Sequence, residues 1–208
     1  MERRDAEAHW TVNRGDGWLR GYHESVSAPT RQAVLDALLR YAPFACVLDL
    51  GCNCGVLTPL VLAASPGAHV TGIDINVEAV AAAKRLYPAQ TWICASIVDW
   101  LPLLAGHAKA DVVVSSSCLA HVRPADLPDV LGAIAQIAQR AIVLQESTVT
   151  PLYGEGQTEC GVLEWRHDYA RHLQGMGWTR VSRVWQEVTT TRPAAVQAFE
   201  PHGDAVSR

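Results

Sequence analysis

The chain has 208 residues, 49% of them hydrophobic and 18% charged, enough to close one core without disulfides or metal; a disordered tail and a disulfide-stapled miniprotein are excluded. Seventeen Lys and Arg stand against 21 Asp and Glu, a net charge of −4. The cations are scattered, so neither a nucleic-acid-coating face nor an anionic-membrane dock is expected.

In chain order, an aromatic arm with turn-formers at Asn13 to Gly17 leads into Ser27-Ala28-Pro29, and apolar residues at helical spacing then predict a helix from about Pro29 to Tyr41. Cys46 to Leu50 reads as a buried strand and Gly51 to Gly55 as a tight loop. Val56 to Ala64 reads as a helix whose Pro59 is tolerated only near its first turn. Ala68 to Ile73 is a second strand ending in Asp74, and Asn76 caps an Ala-rich helix through Leu86. Further strands are expected at Thr91 to Ala95, Asp111 to Ser115 and Ala141 to Leu144, with a helix from about Pro124 to Ala138 between the last two. From Glu146 to Gly161 the chain turns polar and Gly-rich without a period, which predicts a functional loop over the C-terminal edge of the sheet. Tyr169 to Leu173 reads as a helix ending at Gly175. Gly177 to Trp185 and Ala194 to Phe199 read as a final antiparallel pair. This alternation predicts an α/β fold with a mainly parallel sheet.

The segment Val47 to Gly55 is a strand, a Gly-bracketed turn and a helix start, where an open α/β sheet presents backbone to a ligand. Asp74 closes the next strand at the offset, roughly 20 residues, from which a carboxylate accepts two hydrogen bonds from a ribose diol. Loop and acid together indicate an adenosine-containing ligand. The loop reads G-x-x-x-G with Asn53 at its middle, not the G-x-G-x-x-G of a pyrophosphate cradle. Asp49 at the strand end would repel a phosphate and attract an ammonium or sulfonium, and that difference separates a dinucleotide from S-adenosylmethionine.

On these residues the chain resembles the class I S-adenosylmethionine-dependent methyltransferases, from roughly Arg31 to Phe199. Val47 to Gly55 is similar to the family's glycine-rich motif, and Gly72-Ile73-Asp74-Ile75 to its ribose-binding strand end. Cys94-Ala95-Ser96-Ile97 takes the place of the adenine turn, with Ser96 where relatives often carry Asp. Ala110 to Val122 resembles the fourth-strand segment of the small-molecule branch, including its L-x-H-V ending. The resemblance implies a Rossmann-like, seven-stranded, mostly parallel sheet with helices on both faces and an antiparallel C-terminal edge hairpin. It implies one domain over 1–208, with an arm and helix (1–42) acting as a lid on a core (43–208). Cofactor contacts are then expected from Asp49, Gly51, Cys52, Asn53, Gly55, Asp74, Ile75, Ser96, Ile97 and Ser115.

His121 follows the fourth strand and His23 lies in the arm, and either can serve as a general base near neutrality. Trp18 and Tyr22 of the arm and Glu146 at the fifth strand's end are expected to touch substrate. Tyr153, Glu155, Glu159 and Trp165 of the following loop are further candidates. Arg20 or Arg31 could fork onto the methionine carboxylate of the cofactor. Cys52-Asn53-Cys54 lacks a second ligand pair, so no metal is expected. Cys118 lacks the adjacent proline of a cytosine-methylating nucleophile.

The resulting reading is direct in-line methyl transfer to a small molecule. Methylation of a protein or RNA, or non-catalytic binding of an adenosyl ligand, stand as its rivals. No nucleic-acid partner or membrane association is expected, and a homodimer is left open. No secretory signal is seen at the start, and six cysteines, mostly in apolar or Gly-rich runs, read as reduced thiols; the expected compartment is the cytoplasm.

Overall fold

The computed structural model describes residues 3–11, 27–157, 163–186 and 194–203. A helix α1 (Arg3–Thr11) precedes α2 (Ala28–Leu39), and then strands and helices alternate: β1 (Cys46–Leu50), α3 (Thr58–Ala64), β2 (His69–Asp74), α4 (Val77–Leu86), β3 (Thr91–Cys94), α5 (Ile97–Leu104) and β4 (Ala110–Ser116). A single helical turn (Leu119–His121), α6 (Leu127–Ile137) and β5 (Ala138–Ser147) follow. A small pair, β6 (Gly156–Gln157) and β7 (Trp165–Arg166), comes before α7 (Tyr169–Gln174), β8 (Trp178–Gln186) and β9 (Ala194–Pro201).

The main sheet has seven strands in the order β3-β2-β1-β4-β5-β9-β8. β1 to β5 run parallel, and β9 and β8 add an antiparallel edge. The expected fold is therefore the observed one. The strand order reverses between β1 and β4, and in open α/β sheets the crevice outside the carboxyl ends at that point takes the ligand.

Parallel strands covered on both faces have to be apolar throughout. On one face Val47, Val70, Val112, Val114 and Val143 pack under α2, α3 and α4 through Val34, Leu38, Val61 and Val80. On the other, Leu48, Leu50, Ile73, Val113, Ile142 and Phe199 pack under α5, α6 and α7. In α6, Leu127, Val130, Leu131 and Ile134 recur at three- and four-residue spacing and are all buried, which is why this helix was legible. Its start is later than expected, because Arg123 instead forks onto Asp126 at 2.8 and 3.2 Å and closes a turn there.

Besides α1 and the β6–β7 pair, which the sequence did not suggest, two elements differ from the sequence reading. α5 was not foreseen: it is eight residues long and carries Pro102 inside, a residue that normally breaks such a pattern, yet Ile97 and Leu101 anchor it to the core. β5 runs ten residues rather than four, because Gln145, Glu146 and Ser147, polar enough to read as loop, are buried strand residues. Among the described residues no helix is long and apolar enough to cross a membrane.

Candidate active site

Gly51 to Gly55 sits at the carboxyl end of β1, where the amides of Gly51 and Cys52 donate to Ile73 O at 2.8 and 3.0 Å and bind the loop to β2. Gly51, Asn53 and Gly55 all have positive φ, +67, +50 and +84. Asn is the side-chain-bearing residue that best tolerates this region, so Asn53 does the work of a third glycine, and its Oδ1 accepts from Cys54 N at 2.7 Å. A Cβ at Gly51 would overlap Cys118, and one at Gly55 the Tyr87 ring. The loop is thereby packed between the β4 loop and α4.

Asp74 locks the loop to the next helix. One carboxylate oxygen accepts Asn53 N and the other Asn76 N, both at 2.8 Å. Asn76 in turn caps α4, its Oδ1 accepting Glu78 N and Ala79 N at 3.0 Å. Burial raises the Asp74 pKa, opposed by the backbone amides that bond it.

Asp49 lies beneath the loop at 1% exposure, and its Oδ2 is buried without a hydrogen-bond partner. Burial, and then the charge of Asp74, push its pKa from 3.8 up to about 7. Cys52 and Cys118 are the other titratable groups that feel this charge, and their thiols are driven up in turn, chiefly by burial. Since the unfolded carboxyl ionises near 3.8, the ligand-free fold holds a proton that the unfolded chain has lost between that pH and about 7. Stability then falls as pH rises through this window and levels above it. Asp49→Asn removes that loss, so by calorimetry without ligand the margin by which it melts above wild type should be small near about pH 4 and largest near about pH 8. Identical melting at both pH values would show that Asp49 is ionised in the folded chain throughout.

The other expected cofactor residues are placed unevenly. Ile75 O accepts the Cys94 thiol at 3.7 Å, beside Asp74. Ser96 precedes α5 and its hydroxyl donates to Glu7 of α1 at 2.7 Å. The side chains of Cys52 and Ile97 belong to the two core clusters, so only their backbones can face a ligand. Ser115 is buried, with its hydroxyl given to Glu146 at 2.7 Å, and it does not serve a cofactor directly. Arg31 lies close enough to Tyr87 for its charge to act on that phenol, and the Tyr87 ring abuts Gly55.

Glu146 is a correction. It is 0% exposed and its carboxylate accepts Ser115 Oγ at 2.7, Cys118 N at 3.0, Leu119 N at 3.1 and Ala120 N at 3.1 Å. It holds the turn after β4 from below and presents nothing to a substrate. Glu155 is likewise turned to α7, accepting Asp168 N at 3.1 Å and pairing with His172 at 3.3 Å. Trp165 is buried on β7. Trp18, Tyr22, His23, Arg20 and Glu159 lie outside the described residues.

The turn that Glu146 holds carries His121, whose Nδ1 meets Leu163 O at 2.8 Å. A carbonyl only accepts, so Nδ1 carries the proton and the lone pair of the neutral ring is on Nε2. The Trp10 ring of α1 lies 4.4 Å from that of His121, and Trp10 O accepts from the Asn76 side chain at 2.8 Å. Through Glu7 and Trp10, α1 therefore touches Ser96, Asn76 and His121, crossing the edge where the loop and Asp74 lie. The sequence reading had singled out the arm's aromatics but not a helix there.

Comparison with known proteins agrees with this geometry. Residues 48–140 match the family model of the methyltransferase domain. Over 122 residues the chain is 30% identical to trans-aconitate 2-methyltransferase of Paracidovorax citrulli, covering 58% of this chain and 46% of that one. Over 111 residues it is 38% identical to ribosomal protein L11 methyltransferase of Dechloromonas aromatica, covering 47% and 36%. The chain thus spans less than half the length of these curated relatives. Among solved structures it is similar to 1,6-didemethyltoxoflavin-N1-methyltransferase of Burkholderia thailandensis, crystallised with its substrate and S-adenosylhomocysteine, with a TM-score of 0.71, 19% identity and coverage of 96% and 87%. The architecture is the Rossmann-like methyltransferase fold. The chain thus shares the fold of class I S-adenosylmethionine-dependent methyltransferases, and its residues 48–140 match the methyltransferase-domain model.

Proposed function

We propose that the protein binds S-adenosylmethionine at the carboxyl edge of β1 and β2 and transfers its methyl group to a small molecule. The observation that carries this reading is the loop Gly51 to Gly55 locked to Asp74, above a buried Asp49 oxygen that has no partner. A buried carboxylate left so is costly unless a cation is supplied, and the methionine ammonium of the cofactor is such a cation. Asp74 takes the ribose, the backbone of the loop and of Cys52 the methionine part, and Ile75, Ser96 and the Ile97 backbone the adenine. Arg31 lies on the side from which it can pair the methionine carboxylate.

When bound, the cofactor would supply an electrophilic methyl on sulfur, to whose carbon the acceptor's lone pair bonds as the carbon–sulfur bond breaks and S-adenosylhomocysteine leaves. What the chain adds is alignment and exclusion of water. α1 forms part of the lid that 1–42 provides to 43–208. His121 Nε2 takes the proton of an acceptor that carries one. A small acceptor is supported by the names of two similar proteins, a trans-aconitate and a didemethyltoxoflavin methyltransferase. The test is incubation of purified protein with methyl-labelled cofactor and a cell extract fractionated by size. Label should pass to small molecules; label found in protein or RNA instead would overturn the choice of acceptor.

A further inference from the structure

We propose that Arg166 anchors a carboxylate on the methyl acceptor; this rests on the methyltransferase reading and narrows its substrate class. Arg166 is 9% exposed and is the one Lys or Arg among the described residues that is buried. Its Nε donates to Gly154 O at 3.3 Å and its guanidinium carbon stands 5.2 Å from the centre of the Tyr153 ring. These two contacts fix the plane of the group but leave Nη1 buried with no acceptor. The ion pairs between described residues are Arg123–Asp126, Arg171–Glu155 and His172–Glu155, and none uses it. Glu164, two residues earlier, accepts from the Ser147 hydroxyl.

A buried guanidinium without counter-charge is unfavourable, and the planar fork that it offers matches a carboxylate bidentately. Its place in the fold says which molecule brings the anion. His121 Nδ1 donates to Leu163 O at 2.8 Å and His167 Nε2 to Val122 O at 3.0 Å. The segment 163–167 is therefore fastened at both ends to the turn that carries the proposed base, with Arg166 between the two fastenings. Because the same short segment is tied to the turn that carries His121, the anion held by Arg166 is assigned to the acceptor. His167 does not compete for it, because burial pulls its pKa down to about 4 and keeps it neutral. A single guanidinium matches a single negative charge, which favours a carboxylate over a doubly charged phosphate.

The test uses the full chain with methyl-labelled S-adenosylmethionine and a panel of short mono-, di- and tricarboxylic acids, together with their primary amides and phosphate esters of the same skeletons. S-adenosylhomocysteine affinity is measured on the same samples. Acids should be methylated in preference to amides and phosphates. Arg166→Gln should raise KM for the best acid by about tenfold or more with kcat little changed, as loss of a ground-state ion pair does. Arg166→Lys should recover part of that loss, and both variants should bind S-adenosylhomocysteine within about twofold of wild type, reporting an intact fold. Amides or phosphate esters accepted as readily as the acids, an unchanged KM in Arg166→Gln, or no acid methylated by protein that binds S-adenosylhomocysteine would each overturn the carboxylate anchor alone. Failure of wild type to bind S-adenosylhomocysteine would overturn the methyltransferase reading beneath it.

Discussion

Replacing Glu146 by Ala is expected to cost this protein at least about 3 kcal/mol of stability, since a buried donor left unsatisfied costs about 1–3 kcal/mol. Four such donors are involved: one hydroxyl and the amides of Cys118, Leu119 and Ala120. At about 2–4 °C per kcal/mol for a chain of this size, the melting temperature should fall by roughly 10 °C. All four groups donate, so the ionised carboxylate is the form that fits, even though burial raises its pKa. Glu146→Gln keeps one accepting oxygen but turns an amine towards at least one of these donors, and its melting temperature should lie between the two. Melting of Glu146→Ala within about 2 °C of wild type would mean that the turn at 118–121 is held by something else.

Asp74→Ala is expected to weaken cofactor affinity by more than about tenfold, the scale of losing charge-assisted hydrogen bonds. The ribose pair is one reason. The second is that both oxygens of Asp74 hold backbone amides, at Asn53 and Asn76, so its removal also frees the loop and the start of α4. Affinity for S-adenosylhomocysteine measured by calorimetry, with melting temperature as the check on folding, reads this directly. An unchanged dissociation constant in a folded variant is incompatible with Asp74 as the ribose acceptor.

Features with a local physical signal were legible in the sequence. Asn76 caps α4 through its side chain, Asp74 ends β2, α7 stops at Gly175, and the last two strands pair antiparallel. The loop was read as a ligand loop, and its physics is sharper in three dimensions: Asn53 adopts the left-handed conformation that glycine takes most readily. What could not be read depends on partners far along the chain. Glu146 looked like a loop acid because nothing nearby in sequence shows that Ser115 and three amides 26–28 residues earlier converge on it. Arg166 stood in a stretch without periodicity, where one strand of two residues gives no pattern, and its burial follows only from the return of the chain over Tyr153 and Gly154. α1 was hidden by its mixture of charges and aromatics, and its contacts with Ser96 and Asn76 are again long-range.

The central claim is that the crevice above Asp49 and Asp74 binds an adenosyl sulfur compound. Calorimetric titration of the purified protein with S-adenosylhomocysteine, with S-adenosylmethionine and NAD run alongside, tests it most directly. The account predicts micromolar binding of both adenosyl compounds and none of NAD. A folded sample that takes up NAD, or that shows no heat with either adenosyl compound, would contradict it.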